Sequence, residues 1–196
     1  MTNTEKRRAQ TKRLVLGAVM TALVIVLQFM GAFVRFGPFS ISLVLIPIVI
    51  GAATCGAGIG AWLGFVFGMI VLLSGDAAAF LSISPIGTVI TVLLKGTLCG
   101  LAAGLVYKIT EKYNRWLAVA LAAVVCPLVN TGIFLLGCWA FFLDAITEWG
   151  IAAGHDSVVA YMFLGLVGGN FIFELGSNII LSPVIVRILN IEKKQI

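Results

Sequence analysis

The chain has 196 residues, 61% of them hydrophobic and only 11% charged, with a formal net charge of +5 and a mean hydropathy of +1.13. Soluble domains carry about 25% charged residues and at this size bury only about two-thirds of the surface they expose when unfolded, so no soluble fold hides this much apolar surface and lipid is the solvent that remains. The basic residues form short clusters at the ends of apolar runs, which is how cytoplasmic anchors are placed and not how a phosphate-binding surface is built.

The chain opens on a basic segment, residues 1–13, carrying Lys6, Arg7, Arg8, Lys12 and Arg13. A helix is predicted over 14–34. It is long enough to span a bilayer and lacks a convincing small-residue cleavage site, so it reads as a retained helix and not a signal peptide. Ala18 and Ala22 give it a small-residue face for close packing, either within the protein or against another membrane protein. Residues 35–42 join a turn-forming Gly37-Pro38 to Phe36 and Phe39 and read as a structured lid loop. The apolar run 43–75 is too long for one untilted span and somewhat short for two. Its centre, Thr54-Cys55-Gly56-Ala57-Gly58-Ile59-Gly60, is rich in the residue that ends helices, so helices over 43–55 and 58–75 are expected, with the turn at 56–58. In the second of these, Gly60, Gly64 and Gly68 recur every four residues as a packing ridge. Trp62 and Phe65 sit on adjacent turns, suited either to stacking on a planar ligand or to facing lipid. Further helices are predicted over 85–107, 116–143 and 158–188.

Charge decides the number of crossings. With the 43–75 run crossing twice, an all-α bundle of six transmembrane helices places both termini in the cytoplasm, together with Lys108, Lys112, Arg115, Arg187, Lys193 and Lys194. Eleven of the thirteen basic residues then lie on one side, as the positive-inside rule requires. A single crossing would put the 108–115 cluster and the carboxyl terminus on opposite sides. The expectation is therefore one transmembrane domain over residues 1–196, multi-pass in a bacterial cytoplasmic membrane. Residues 35–42, 76–84 and 144–157 would face outward.

Two charges fall inside predicted spans, Lys95 and Glu174. A charge at the centre of a membrane helix costs about 2.5–3.5 kcal/mol on insertion scales, so such residues face a partner or a cavity. Either the two form an internal ion pair, or they line a polar ligand pocket. The four-residue spacing of Asn170, Glu174 and Asn178 stacks them on one helix face, and in lipid a polar stripe faces protein, water or ligand. Asn130 and Thr131 follow Pro127, which tends to kink its helix. These polar groups serve equally as interhelical glue. Cys55, Cys99, Cys126 and Cys138 lie in apolar runs without metal-ligand spacing and read as small buried hydrophobes. His155 beside Asp156 reads as a solvated loop histidine. There is no nucleotide-binding GxxxxGK[ST], HExxH or GxSxG, and no nucleophile, base and acid can be assembled. No catalytic residue, metal site, cofactor or enzymatic activity is expected.

Five stretches carry a family resemblance that covers nearly the whole chain. They are Ala18-Val-Met-Thr-Ala22 after the basic start, Phe36-Gly-Pro-Phe-Ser-Ile-Ser-Leu-Val-Leu-Ile-Pro-Ile-Val-Ile-Gly51, Gly60-Ala-Trp-Leu-Gly-Phe-Val-Phe-Gly68, Asn130-Thr-Gly-Ile-Phe-Leu-Leu-Gly137 and Asn170-Phe-Ile-Phe-Glu174. In this order the chain resembles the S components of energy-coupling factor (ECF) transporters, the membrane subunits that capture vitamins. It departs from many relatives at Cys55-Gly-Ala-Gly58, where they have a Gly-Pro turn. The resemblance implies a high-affinity substrate-binding subunit that holds its vitamin near the outer face, under a lid loop containing Phe36, Pro38 and Phe39. It also implies partners: a transmembrane coupling protein, docked on Ala18 and Ala22, and two cytoplasmic ATPases. Within the family the look is nearest to the pantothenate-type subgroup. Lys95 would meet a substrate carboxylate, and Asn130, Asn170 and Glu174 would complete the site. Trp62 and Phe65 would suit a flat ring, which keeps riboflavin or another vitamin open. The alternative from another class is an ion-coupled secondary transporter using Lys95 and Glu174, and an unrelated structural membrane protein stands behind that.

Overall fold

Apolar runs punctuated by Gly, Pro and capping residues give an almost wholly helical chain. The computed structural model describes residues 3–33, 35–36, 39–40 and 43–194. Helix α1 (Asn3–Phe33) begins well inside the basic segment, because Glu, Lys, Arg and Gln are themselves good helix formers. Strands β1 (Arg35–Phe36) and β2 (Phe39–Ser40) pair antiparallel, Phe36 opposite Phe39. The predicted lid falls here, with Pro38 outside the described residues. Helices α2 (Leu45–Cys55) and α3 (Ala57–Leu73) are separated by Gly56 alone. Its φ of 95° lies in the left-handed region open to glycine, which is why the break falls at the first of the predicted turn residues.

Gly75 (φ 84°) leads into the short α4 (Ala78–Ile83). Helix α5 (Pro85–Thr110) follows, with Pro at its first position and the Ser84 Oγ accepting the Gly87 N–H at 3.3 Å, the expected start signal for a helix. Asn114 opens α6 (Arg115–Phe141) by accepting the N–H groups of Trp116 and Leu117 at 2.8 and 3.2 Å. The helix continues through Pro127. The outward segment predicted over 144–157 is largely helical, as α7 (Leu143–Ala152). The last predicted helix is divided. Helix α8 (Val158–Ala160) runs on as a π-helical turn, Tyr161–Leu166, before α9 (Gly168–Lys194). Gly165, Gly168 and Gly169 weaken continuous α-helix there, and the Tyr161 ring lies where a side chain on Gly165 would stand.

The glycine ridge of α3 meets a second ridge on α5. A Cβ on Gly64 would fall on the Gly96 carbonyl oxygen, one on Gly100 on that of Gly60, and one on Gly68 would lie 2.8 Å from the Val92 oxygen. The backbones touch because neither side carries a side chain. Helix α2 is enclosed by the others, burying Leu45, Pro47, Ile48, Val49, Gly51, Ala52 and Cys55. One apolar core joins α2, α3, α5, α6 and α9. A second gathers Phe80, Cys138, Phe142, Ile146, Met162, Leu166 and Val167 near α4, α7 and the π-helical turn. Among the described residues, four helical stretches are long and apolar enough to cross a membrane: Gln10–Gly31, Pro85–Thr110, Arg115–Phe141 and Gly168–Ile188. Helices α2 and α3 are apolar but shorter. At about 1.5 Å per residue α2 extends only about 16 Å, half of a hydrocarbon core of about 30 Å.

Candidate functional site

A cavity of about 90 Å³ opens where the two apolar cores meet, several times the 10–15 Å³ or so that one water needs. Its lining comes from the second half of α1 (Gln28), the end of α3 (Phe67, Val71), the α3–α4 segment (Asp76, Ala77, Phe80), the first half of α5 (Val92, Lys95), the second half of α6 (Asn130, Thr131, Phe134) and the residues around the start of α9 (Leu166, Val167, Asn170, Glu174). Chain direction places all of these toward one end of the bundle, away from the basic turn between α5 and α6.

The polar groups divide into two sets. Glu174, 2% exposed, accepts from the Asn170 Nδ2 at 3.1 Å and the Asn130 Nδ2 at a long 3.5 Å. Each amide gives one hydrogen bond to the same carboxylate, and the Oδ1 atoms of Asn130 and Asn170 stay buried without a hydrogen-bond partner among the described residues. Lys95 makes no hydrogen bond to this cluster among the described residues. Its Nζ lies 5.2 Å from the centroid of Phe134 and 5.6 Å from that of Phe67. No salt bridge joins it to a carboxylate among the described residues. Cation–π contact of this kind supplies about 0.5–2 kcal/mol and uses none of the three N–H donors. Farther along α1, Gln28 donates to Asp76 at 2.6 Å.

The structure brings Lys95, Asn130, Asn170 and Glu174 into one cavity. It does not bring Trp62 and Phe65 there. Their side chains are 52% and 37% exposed, the rings lie 6.1 Å apart on the outside of α3, and the Trp62 Nε1 donates to Thr21 across the α1–α3 seam at 3.3 Å. The inward aromatic residues are Phe67, Phe80 and Phe134. Phe80 is held edge-on against Phe134, Phe142 and Trp149. Ala18 and Ala22 lie on the exposed face of α1, while Gly17, Val24 and Gln28 face inward. His155 rests against Tyr161, away from the cavity. Gln28 and Asp76 escaped the sequence reading, although the rule that singled out Lys95 applies to a glutamine in a span as well. Asp76 gave a weaker signal, because it lies at the edge of its apolar run.

A bundle of long apolar helices around an internal cavity with both charged and amide groups defines a multi-pass membrane protein able to hold a small polar molecule. The family model for the substrate-specific component of ECF transporters matches residues 12–189, and the chain belongs to that family. The family is a transporter substrate-binding component and not an enzyme family; its members work with a coupling protein and ATPases. Between the two transport classes left open by the sequence, family membership selects the capture subunit over the self-sufficient carrier. No curated protein and no solved structure matches the chain.

Proposed function

We propose that this chain captures a small carboxylate-bearing vitamin at the outer face of a bacterial cytoplasmic membrane, with pantothenate the leading candidate. The observation that carries the reading is Lys95: an ammonium group in the wall of the cavity, seated on two aromatic rings and joined to no carboxylate by a salt bridge among the described residues. A cation in a low-dielectric bundle gains most from an anion that arrives with the ligand. Asn130 and Asn170 supply amide groups suited to the hydroxyl and amide groups of such a molecule. The three inward phenylalanines favour a second reading, a flat-ring vitamin such as riboflavin, over a purely aliphatic one.

In this proposal six helices cross the membrane, and both termini are cytoplasmic. The cavity then lies in the outer half, beneath the β1–β2 hairpin. The coupling protein docks on Ala18 and Ala22, and two ATPases drive uptake. Native mass spectrometry of the chain purified alone tests the ligand directly. A co-purified mass equal to pantothenate supports the leading reading, riboflavin selects the second, and a ligand without any anionic group overturns the role given to Lys95.

A further inference from the structure

The cavity is asymmetric in a way that the charge of Lys95 alone does not explain. On the α5 side stands a donor without an acceptor. On the α6 and α9 side stand acceptors in excess: the Glu174 carboxylate and the two Asn Oδ1 atoms, all buried, with only two hydrogen bonds among them, one from each amide. A carboxylate has about four acceptor positions, and each amide oxygen has two. The cluster is therefore short of donors, and a buried acceptor left unsatisfied is costly. The cavity wall also carries Phe67, Phe134 and Val92, which offer the rest of a ligand nothing but an apolar surface.

Resting on the proposal that this cavity is the substrate site, we infer that the cavity is built for a bipolar ligand, whose acidic end meets Lys95 and whose opposite end presents hydrogen-bond donors, hydroxyl or ammonium, to the Glu174–Asn130–Asn170 cluster. Glu174 is then a ligand-binding residue and not the resting ion-pair partner of Lys95. The two asparagines hold its carboxylate in place with their amide hydrogens and turn their own oxygens toward the same donor group. A plain monocarboxylate with an apolar tail satisfies only one end and leaves the acceptors as they are. A dicarboxylate sets like charges together at Glu174.

Three probes that share one carboxylate end test this on the full chain in detergent by calorimetry: pantothenate, its analogue with both hydroxyls replaced by hydrogen, and an amine-terminated analogue of the same length. Wild-type protein is expected to bind at least one donor-bearing probe ten or more times as tightly as the dideoxy analogue, since hydrogen bonds to charged groups are the strong ones. Whether pantothenate or the amine prevails identifies hydroxyl or ammonium as the natural donor. In Glu174→Gln the advantage of that probe is expected to shrink to under threefold. Equal wild-type binding of all three probes overturns the inference and leaves the carboxylate reading standing. An undiminished advantage in a folded Glu174→Gln protein removes Glu174 from the site. If none of the three probes binds wild-type protein, the carboxylate-vitamin reading itself is wrong and the inference goes with it. The wild-type comparison needs no variant, so it decides even if Glu174→Gln fails to fold.

Discussion

Lys95 is held by what surrounds it and not by a fixed counter-charge. Phe67 and Phe134 shelter its ammonium group, and no salt bridge to a carboxylate engages it among the described residues. Replacing it by Met keeps the length and apolar stem while deleting the charge. Lys95→Met is expected to weaken pantothenate binding well over tenfold, the equivalent of losing a charge-assisted contact of about 1.5–3 kcal/mol, measured by calorimetry in detergent. Lys95→Arg is expected to bind poorly as well, because a larger, fork-shaped guanidinium does not replace a compact ammonium in a fitted pocket. If Lys95 and Glu174 served only as a structural pair, the Lys95→Met and Glu174→Gln double variant would regain near-normal affinity. Trp62 gives the contrasting case. Its indole lies outside the bundle with its N–H on Thr21, so Trp62→Phe is expected to leave the affinity within about twofold, the cost of one exposed neutral hydrogen bond being small.

Helices α3 and α5 approach backbone to backbone, and this contact fixes how Lys95 is presented, since Gly96 beside it is part of the seam. A side chain at Gly64 has nowhere to go, because it meets the backbone of Gly96 and Thr97 and not the movable end of a side chain. Gly64→Ala is expected to destabilise the bundle by about 1–3 kcal/mol or more, seen as a lower midpoint in thermal unfolding followed by near-ultraviolet circular dichroism. Gly58, with open space around it, serves as the control, and its Ala variant should melt near the wild-type midpoint. The outer face of α1 makes the opposite prediction. Ala18 and Ala22 are exposed, so Ala18→Leu with Ala22→Leu should retain ligand affinity in the isolated subunit. Uptake by cells carrying the complete transporter should fall to background, since two leucines hold a partner helix away. Loss of ligand binding in that variant at normal expression would identify the face as an internal contact.

For the whole molecule, the proposed topology ties the cavity to the outer half of the membrane. All four cysteines are free and buried, so a background lacking them accepts single reporters at exposed sites. Cysteine introduced at Ala78 or Gly154 is expected to react with an impermeant maleimide from outside intact cells, and cysteine at Lys112 only after permeabilisation. Labelling at Lys112 from outside would overturn the six-crossing arrangement and the placement of the cavity with it. The four long spans and the two shorter apolar helices are compatible with it because α2 is enclosed by protein along most of its length, where a short helix needs no match to lipid thickness.

The sequence by itself determined that the chain belongs in lipid, that the 43–75 run breaks at its central glycines, and which polar residues demanded an explanation. Those properties follow from local chemistry: apolar length, the backbone freedom of Gly56, the caps at Ser84 and Asn114, and the cost of Lys95 and Glu174 in a span. It also determined the family, through motifs dispersed along most of the chain. Tertiary structure alone decided which helices those residues share a cavity with. Helical periodicity gives the face on which a side chain lies but not the neighbour that face meets, so Trp62 and Phe65 looked suited to stacking, while the aromatic residues at the cavity are Phe67, Phe80 and Phe134. The two glycine ridges settled that matter. By pressing α3 against α5 they turn Phe67 inward beside Lys95 and leave Trp62 and Phe65 outside. Which groups meet Lys95 and which meet Glu174 likewise depends on where α5 and α9 stand around the cavity, and that placement is a property of packing among all the helices rather than of any one segment.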